Sequence, residues 1–137
     1  MASYRQNIQI WKFGGHPAEY SDLYDLTVSG QKTASSYWFA EDEYDMDSLD
    51  QAGDRSIMLD NLDQPTREVL LVTDKVIVEK FSDISVETAY ANGEGNRTVA
   101  DWQRIFGDFW KKYLPTVGLE FSEDGLVVTE FFHVEEE

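Results

Sequence analysis

Asn92-Gly93-Glu94-Gly95-Asn96 leads through Arg97 into Thr98-Val99-Ala100-Asp101-Trp102, so a carboxylate stands between two glycines just ahead of an aromatic helix. Glycine enters φ > 0 and tolerates close backbone approach, which lets Glu94 project from a turn that other residues would not permit. Thr98 reads as an N-cap with an acid, Asp101, three residues on, and Trp102, Ile105, Phe106, Phe109, Trp110 and Tyr113 recur at helical spacing. That helix is expected to bury one face, and its free N–H groups and positive dipole end would steady whatever the preceding loop contacts. The same glycine and asparagine pattern also suits an ordinary connecting turn, so a rigid site and a plain turn are both open.

The 137 residues fit one domain, 1–137, with 1–7 and 135–137 expected to fray. A hydrophobic content of 42% and an aromatic content of 14% belong to a folded globular chain and exclude a disordered one. Absence of cysteine excludes disulfides and a thiolate nucleophile, and His16 and His133 are too far apart for zinc-like spacing, so neither metal nor cofactor is expected. The polar start, Met1 to Ile10, and the lack of a long apolar run predict a cytoplasmic protein with no membrane partner. A net charge of −16 repels a polyanion. Long duplex nucleic acid is thereby disfavoured, whereas a nucleoside or a short single strand in a local pocket is not.

Ile8 to Phe13 reads as an edge strand or an extended lead-in, with Trp11 and Phe13 on one face for core packing or for stacking a flat ligand. Tyr20, Leu23, Tyr24, Thr27 and Val28 form a helical stripe between Pro17 and Gly30. Lys32 then stands among hydroxyls in Gly30-Gln31-Lys32-Thr33-Ala34-Ser35-Ser36, and the acid-rich run from Phe39 to Asp54 lacks the EF-hand order and reads as a solvated loop. Arg55 to Leu59 and Glu68 to Thr73 predict a hairpin, continued by Val76 to Phe81 after a polar break at Thr73-Asp74 that suits a bulge. The unbroken apolar run Val69 to Val72 points to a sheet covered on both faces. Ser85 to Ala91 reads as a short helix, and Leu126 to Val134 as the last strand. In that strand Glu130 shares a face with Leu126, Val128, Phe132 and Val134, where a carboxylate needs a partner or a raised pKa.

Taken in order, several of these stretches resemble the ASCH family, small domains built like a PUA barrel. Trp11-Lys12-Phe13-Gly14 resembles the family's W-x-F-G, Gly30 to Ser35 its G-x-K-T-A-T, and Gly93-Glu94-Gly95 the centre of its E-G-E-G-D. Gly53-Asp54, Leu59-Asp60, Trp102 and Val127-Val128-Thr129-Glu130-Phe131-Phe132 fall where the family has comparable residues. Four positions depart from the pattern: Ser35 replaces a threonine, Asn92 and Asn96 replace the outer acids, and Phe106 stands where relatives often carry histidine. The resemblance implies an α+β protein, a PUA-like mixed or antiparallel β-barrel with helices packed around it and a cleft receiving the Lys32 and Glu94 loops. It also implies a role near RNA, and one small bacterial branch is associated with hydrolysis of acylated cytidine nucleosides.

Three functions therefore stand side by side. A binding cleft for a nucleoside or short single-stranded RNA would use a charged Lys32, Glu94 as acceptor, and Trp11, Tyr37 or Trp38 to stack the base, with Thr33, Gly93, Gly95 and Glu130 around it. A hydrolase, of amidohydrolase or ribonuclease type, is the second; as an amidohydrolase it would need Lys32, Ser35 and Glu94 to activate a hydroxyl and protonate the leaving amine. Lysine serves as base at neutral pH only if burial or another cation lowers its pKa. In a regular strand Lys32 and Ser35 would also face opposite ways. An acidic scaffold domain is the third reading; a monomer and a homodimer are equally compatible with the sequence.

Overall fold

The computed structural model describes residues 9–11, 20–42, 49–60 and 66–135. Its strands are β1 (Gln9–Trp11), β2 (Ala34–Trp38), β3 (Arg55–Leu59), β4 (Glu68–Lys80) and β5 (Leu126–Val134); its helices are α1 (Tyr20–Val28), α2 (Phe39–Asp42), α3 (Val86–Asn92) and α4 (Val99–Tyr113). The strands lie in the order β1-β3-β4-β5-β2, with β1 parallel to β3 and every other pair antiparallel. The result is an α+β chain built on a curled, half-barrel sheet.

Both faces of the sheet are covered, as the apolar run in β4 requires. Residues opposite one another in an antiparallel ladder share a face. Ala34 with Phe131, Ser36 with Thr129 and Trp38 with Val127 therefore look one way, and Ser35 with Glu130 and Tyr37 with Val128 look the other. On the first face Trp38 and Val127 join Phe81, Trp102, Trp110 and Leu114 in a buried cluster under α4. On the second, Tyr24 of α1 packs with Met58, Leu71 and Phe132. Glu130 falls on this second face between Ser35 and Val76 and is 4% exposed.

The elements follow the sequence pattern with local differences. The polar break at Thr73-Asp74 does not end a strand: β4 runs 13 residues, and its ladder with β5 shifts register between Thr73 and Lys75, so the bulge absorbs one residue while pairing resumes. The bulge is also where the Gly53-Asp54 turn fastens, through Gly53 N–H to Thr73 O at 2.8 Å and Thr73 N–H to Asp54 O at 2.8 Å. The acid-rich segment begins with a turn of helix, α2, and not directly with a loop, in keeping with the helix propensity of Ala40 and Glu41. The lead-in strand is the edge strand β1; Pro17, Phe13 and Gly14 lie outside the described residues.

Asp60 secures the hairpin that follows β3. Its carboxylate accepts from the Thr66 hydroxyl, from the Arg67 and Thr66 N–H groups at 3.0 and 2.9 Å, and from Arg67 Nε at 3.4 Å. These donors, the Thr66 hydroxyl foremost, hold its carboxyl well below the usual carboxylate range. A depressed folded-state pKa contributes stability that is present above the unfolded value, about 3.9, and lost as pH falls through the folded one. Asp60→Asn is accordingly expected to lower the urea midpoint at neutral pH and to flatten the acid-side decline that wild type shows below about pH 4.

Candidate functional site

The end of α3 and the entry to β2 are pressed together by a glycine. Gly93 caps α3 in the left-handed conformation at φ 72°, and its carbonyl accepts from Gln31 Nε2 at 2.8 Å. A Cβ there would sit 2.5 Å from Gln31 O and 2.8 Å from the Lys32 Cα, closer than real atoms approach. Gly95, at φ 63°, is equally constrained: a side chain would collide with Asp101, whose carboxylate already accepts from Asn96 N–H at 2.8 Å. Arg97 holds a left-handed φ of 66° without being glycine. That strain is offset by its guanidinium, which donates to Tyr90 O at 2.9 Å and Gln31 O at 3.0 Å and lies 3.6 Å over the Tyr90 ring. Thr98 then caps α4 by accepting from Asp101 N–H at 3.1 Å.

Lys32 is threaded through this clamp. Its N–H donates to Leu26 O at the end of α1, and the next residue, Thr33, donates to Ala91 O and accepts from Phe132 N–H. The Lys32 side chain is 1% exposed, and its Nζ lies 3.1 Å from Glu94 Oε2, 3.1 Å from Asn92 O and 3.4 Å from Asn92 Oδ1. Glu94 keeps 24% of its side-chain surface, so the pair has a buried end and an open end. Burial pushes the Lys32 ammonium below its ordinary pKa, against the attraction and hydrogen bond of Glu94. Behind the pair, Asn92 Nδ2 donates to Ser36 Oγ at 3.0 Å and to Thr88 O at 2.8 Å, and Ser36 Oγ lies 2.7 Å from Thr129 Oγ1.

A profile of the ASCH domain matches residues 9–136. The chain belongs to the ASCH domain family. It is similar to the ASCH domain from Lactobacillus crispatus JV V101, with a TM-score of 0.77 and 23% identity over 98% of this chain and 85% of that one. It is also similar to protein EF3133 from Enterococcus faecalis V583, with a TM-score of 0.78 and 28% identity over 97% of this chain and 90% of that one. No curated protein matches the chain. The fold is accordingly PUA-like.

In this ASCH domain the Lys32 and Glu94 loops meet, as does Gly93 with the Lys32 backbone. Ser35 does not follow Lys32 into the clamp. Lys32 lies before β2, which begins at Ala34, so strand alternation does not govern it; Ser35 is in register with Glu130 on the face opposite Ser36. The hydroxyl joined to Lys32 through Asn92 is that of Ser36, which motif spacing did not single out. Trp38 corrects the expectation of a stacking ring: it is 4% exposed, with its ring 5.1 Å from Trp110 and 5.6 Å from Phe121, and a base could reach it only by opening the core. Tyr37 shares the other face with Val128. Trp11 pairs with Met58 at the opposite end of the strand order, and its side chain lies outside the described residues. Among the described residues no group of three or more acids or histidines is placed to hold a metal ion, and no helix is long and apolar enough to cross a membrane.

Two outcomes follow from the clamp. Gly93→Ala should cost about 3 kcal/mol in urea unfolding, against about 1 kcal/mol for Gly118→Ala, because the left-handed φ is common to both but only Gly93 has backbone against it. Lys32→Met should lower stability at neutral pH, because the buried Asn92 O and Oδ1 and the half-buried Glu94 carboxylate lose their common donor. A lysine whose folded-state pKa is depressed carries its penalty in full below that value and loses it as pH rises toward 10.5, so the deficit of the Met variant should widen over that window.

Proposed function

We propose that this ASCH domain recognises a nucleoside or a short single-stranded RNA at the Lys32–Glu94 pair. The observation that carries the reading is a buried ammonium 3.1 Å from a carboxylate that still reaches solvent. Such a pair is weak support for a fold, because desolvation consumes most of its attraction, and perturbed ionisable groups concentrate at functional sites. A nucleobase edge presents exocyclic amines and ring N–H groups; the open side of the Glu94 carboxylate can accept from them while the buried ammonium holds that carboxylate in place. The net charge of −16 favours a small or short ligand over a long polyanion. Tyr90, two residues before Asn92, is an exposed aromatic with the Arg97 guanidinium 3.6 Å over its ring.

A hydrolytic reading draws on the burial of Lys32 beside the half-open Glu94, since burial pushes the amine below its ordinary pKa against the pull of that carboxylate. A neutral amine there could take the proton of an attacking water as the bond to the acyl carbon forms. The C–N bond would then break with a proton delivered to the departing exocyclic amine. Titration of the protein with cytidine, N4-acetylcytidine and short RNA, alongside chromatography for released acetate, separates the readings. Lys32→Ala and Glu94→Ala are each expected to weaken binding at least about tenfold. Acetate release abolished by both changes would establish the hydrolase. No binding and no release by wild type would leave the acidic scaffold.

A further inference from the structure

The side chain of Asn92 is placed where the family pattern carries an acid, and its surroundings fix its orientation. The amide atom 2.8 Å from Thr88 O faces a carbonyl, which can only accept, so that atom must be the NH2. Oδ1 is then turned toward Lys32 Nζ, 3.4 Å away, while Nδ2 also donates to Ser36 Oγ at 3.0 Å. Asn92 is 1% exposed, Thr88 and Thr129 are fully buried, and the Ser36 hydroxyl is itself bonded to Thr129. An amide held this rigidly on one side presents a fixed neutral dipole on the other.

We propose that Asn92 is a positioning residue for Lys32, a neutral acceptor locked by Ser36 and Thr88 that holds the ammonium against Glu94 without adding a second negative charge. An aspartate in its place would pull the lysine firmly into its charged form and set a carboxylate against the Thr88 carbonyl. Glu94 brings its carboxylate to hydrogen-bond distance of Nζ, at 3.1 Å. Arg97 closes the same loop from outside on the carbonyls of Tyr90 and Gln31, and Asp101 is held by Asn96 and Arg104. On α1, Asp25 is turned to Arg67; on α3, Glu87 pairs with Lys75; and on β5, Glu130 shares a face with Ser35, the face opposite Ser36. On β4 the Glu79 carboxylate is taken up by Thr88 Oγ1 and Ser85 N–H, and Asn92 adds no charge beside the Lys32–Glu94 pair.

The inference rests on the Lys32–Glu94 pair being the working centre proposed above, but its test reads Lys32 directly. In the full chain labelled with ¹³C and ¹⁵N, the Lys32 Cε and Nζ signals, assigned by their loss in Lys32→Met, are followed from about pH 6 to about pH 11. Asn92→Asp is expected to raise the Lys32 midpoint and Asn92→Ala to lower it, with thermal unfolding confirming that both variants are folded. Opposite shifts from two changes at one position are a result that loss of packing alone does not produce. Midpoints that stay in place, or that move together, would overturn the proposal; if the Asp variant does not fold, an unmoved midpoint in the Ala variant overturns it alone. Nucleoside affinity, measured separately, should fall about tenfold in Asn92→Ala. Failure of wild type to bind any nucleoside defeats the functional reading, while the Lys32 titration still decides the role of Asn92.

Discussion

An ammonium group that is 1% exposed, held by a carboxylate 62 residues further along the chain, is the contact from which the rest of this architecture can be understood. Burying a lysine costs several kcal/mol unless its donors are met, and a single half-buried carboxylate does not meet them all. The chain adds a helix-end carbonyl and an amide oxygen from Asn92, both delivered by the last residue of α3. Helix C-termini leave carbonyls unpaired and carry negative partial charge, so a cation at that end satisfies the helix as well as itself.

That arrangement demands precision from the backbone around it. The αL cap at Gly93 turns the chain sharply enough for Glu94 to double back on Lys32, and the missing Cβ lets the two segments touch. Arg97 ties the outer side of the turn to Gln31, and the Thr98 cap starts α4 at once, so the loop has rigid structure on both sides. Beneath it, Trp102 and Trp110 of α4 are locked into the aromatic cluster against Trp38 and Val127. The site therefore sits at the seam between a closely packed core and a loop that tolerates little movement, the setting in which fixed donors and acceptors are most effective.

Features that depend on local chemistry were legible before any coordinates. The Thr98 cap, the helical stripe from Trp102 to Tyr113, the bulge at Thr73-Asp74 and the constrained glycines each follow from what neighbouring residues allow. The resemblance of Gly30 to Ser35 and of Gly93 to Gly95 to family motifs carried the fold further than periodicity could. Register was not legible in the same way. Whether Ser35 or Ser36 shares a side with Asn92, and whether Trp38 faces a cleft or a core, depends on where β2 starts, and that is set by the bonds of Thr33 to Ala91 and Phe132, partners far away in sequence. A one-residue change in that start would exchange every side chain of the strand between faces.

The charge of the whole chain and the charge of the site obey different physics. Excess acid over a solvated surface acts through water and salt, and its influence on any one group fades within a Debye length of about 8 Å. At Lys32 the nearer effects are the loss of water, which favours the neutral amine, and Glu94, which favours the cation. With Asn92 and Asn96 where the family pattern has acids, just one carboxylate of that motif remains to counter the desolvation. A chain of net charge −16 thus has at its site not another negative patch but a nearly neutral pair. On the proposed function a ligand would meet it through hydrogen bonds of fixed direction, so shape and donor pattern, and not net charge, would select what is held there.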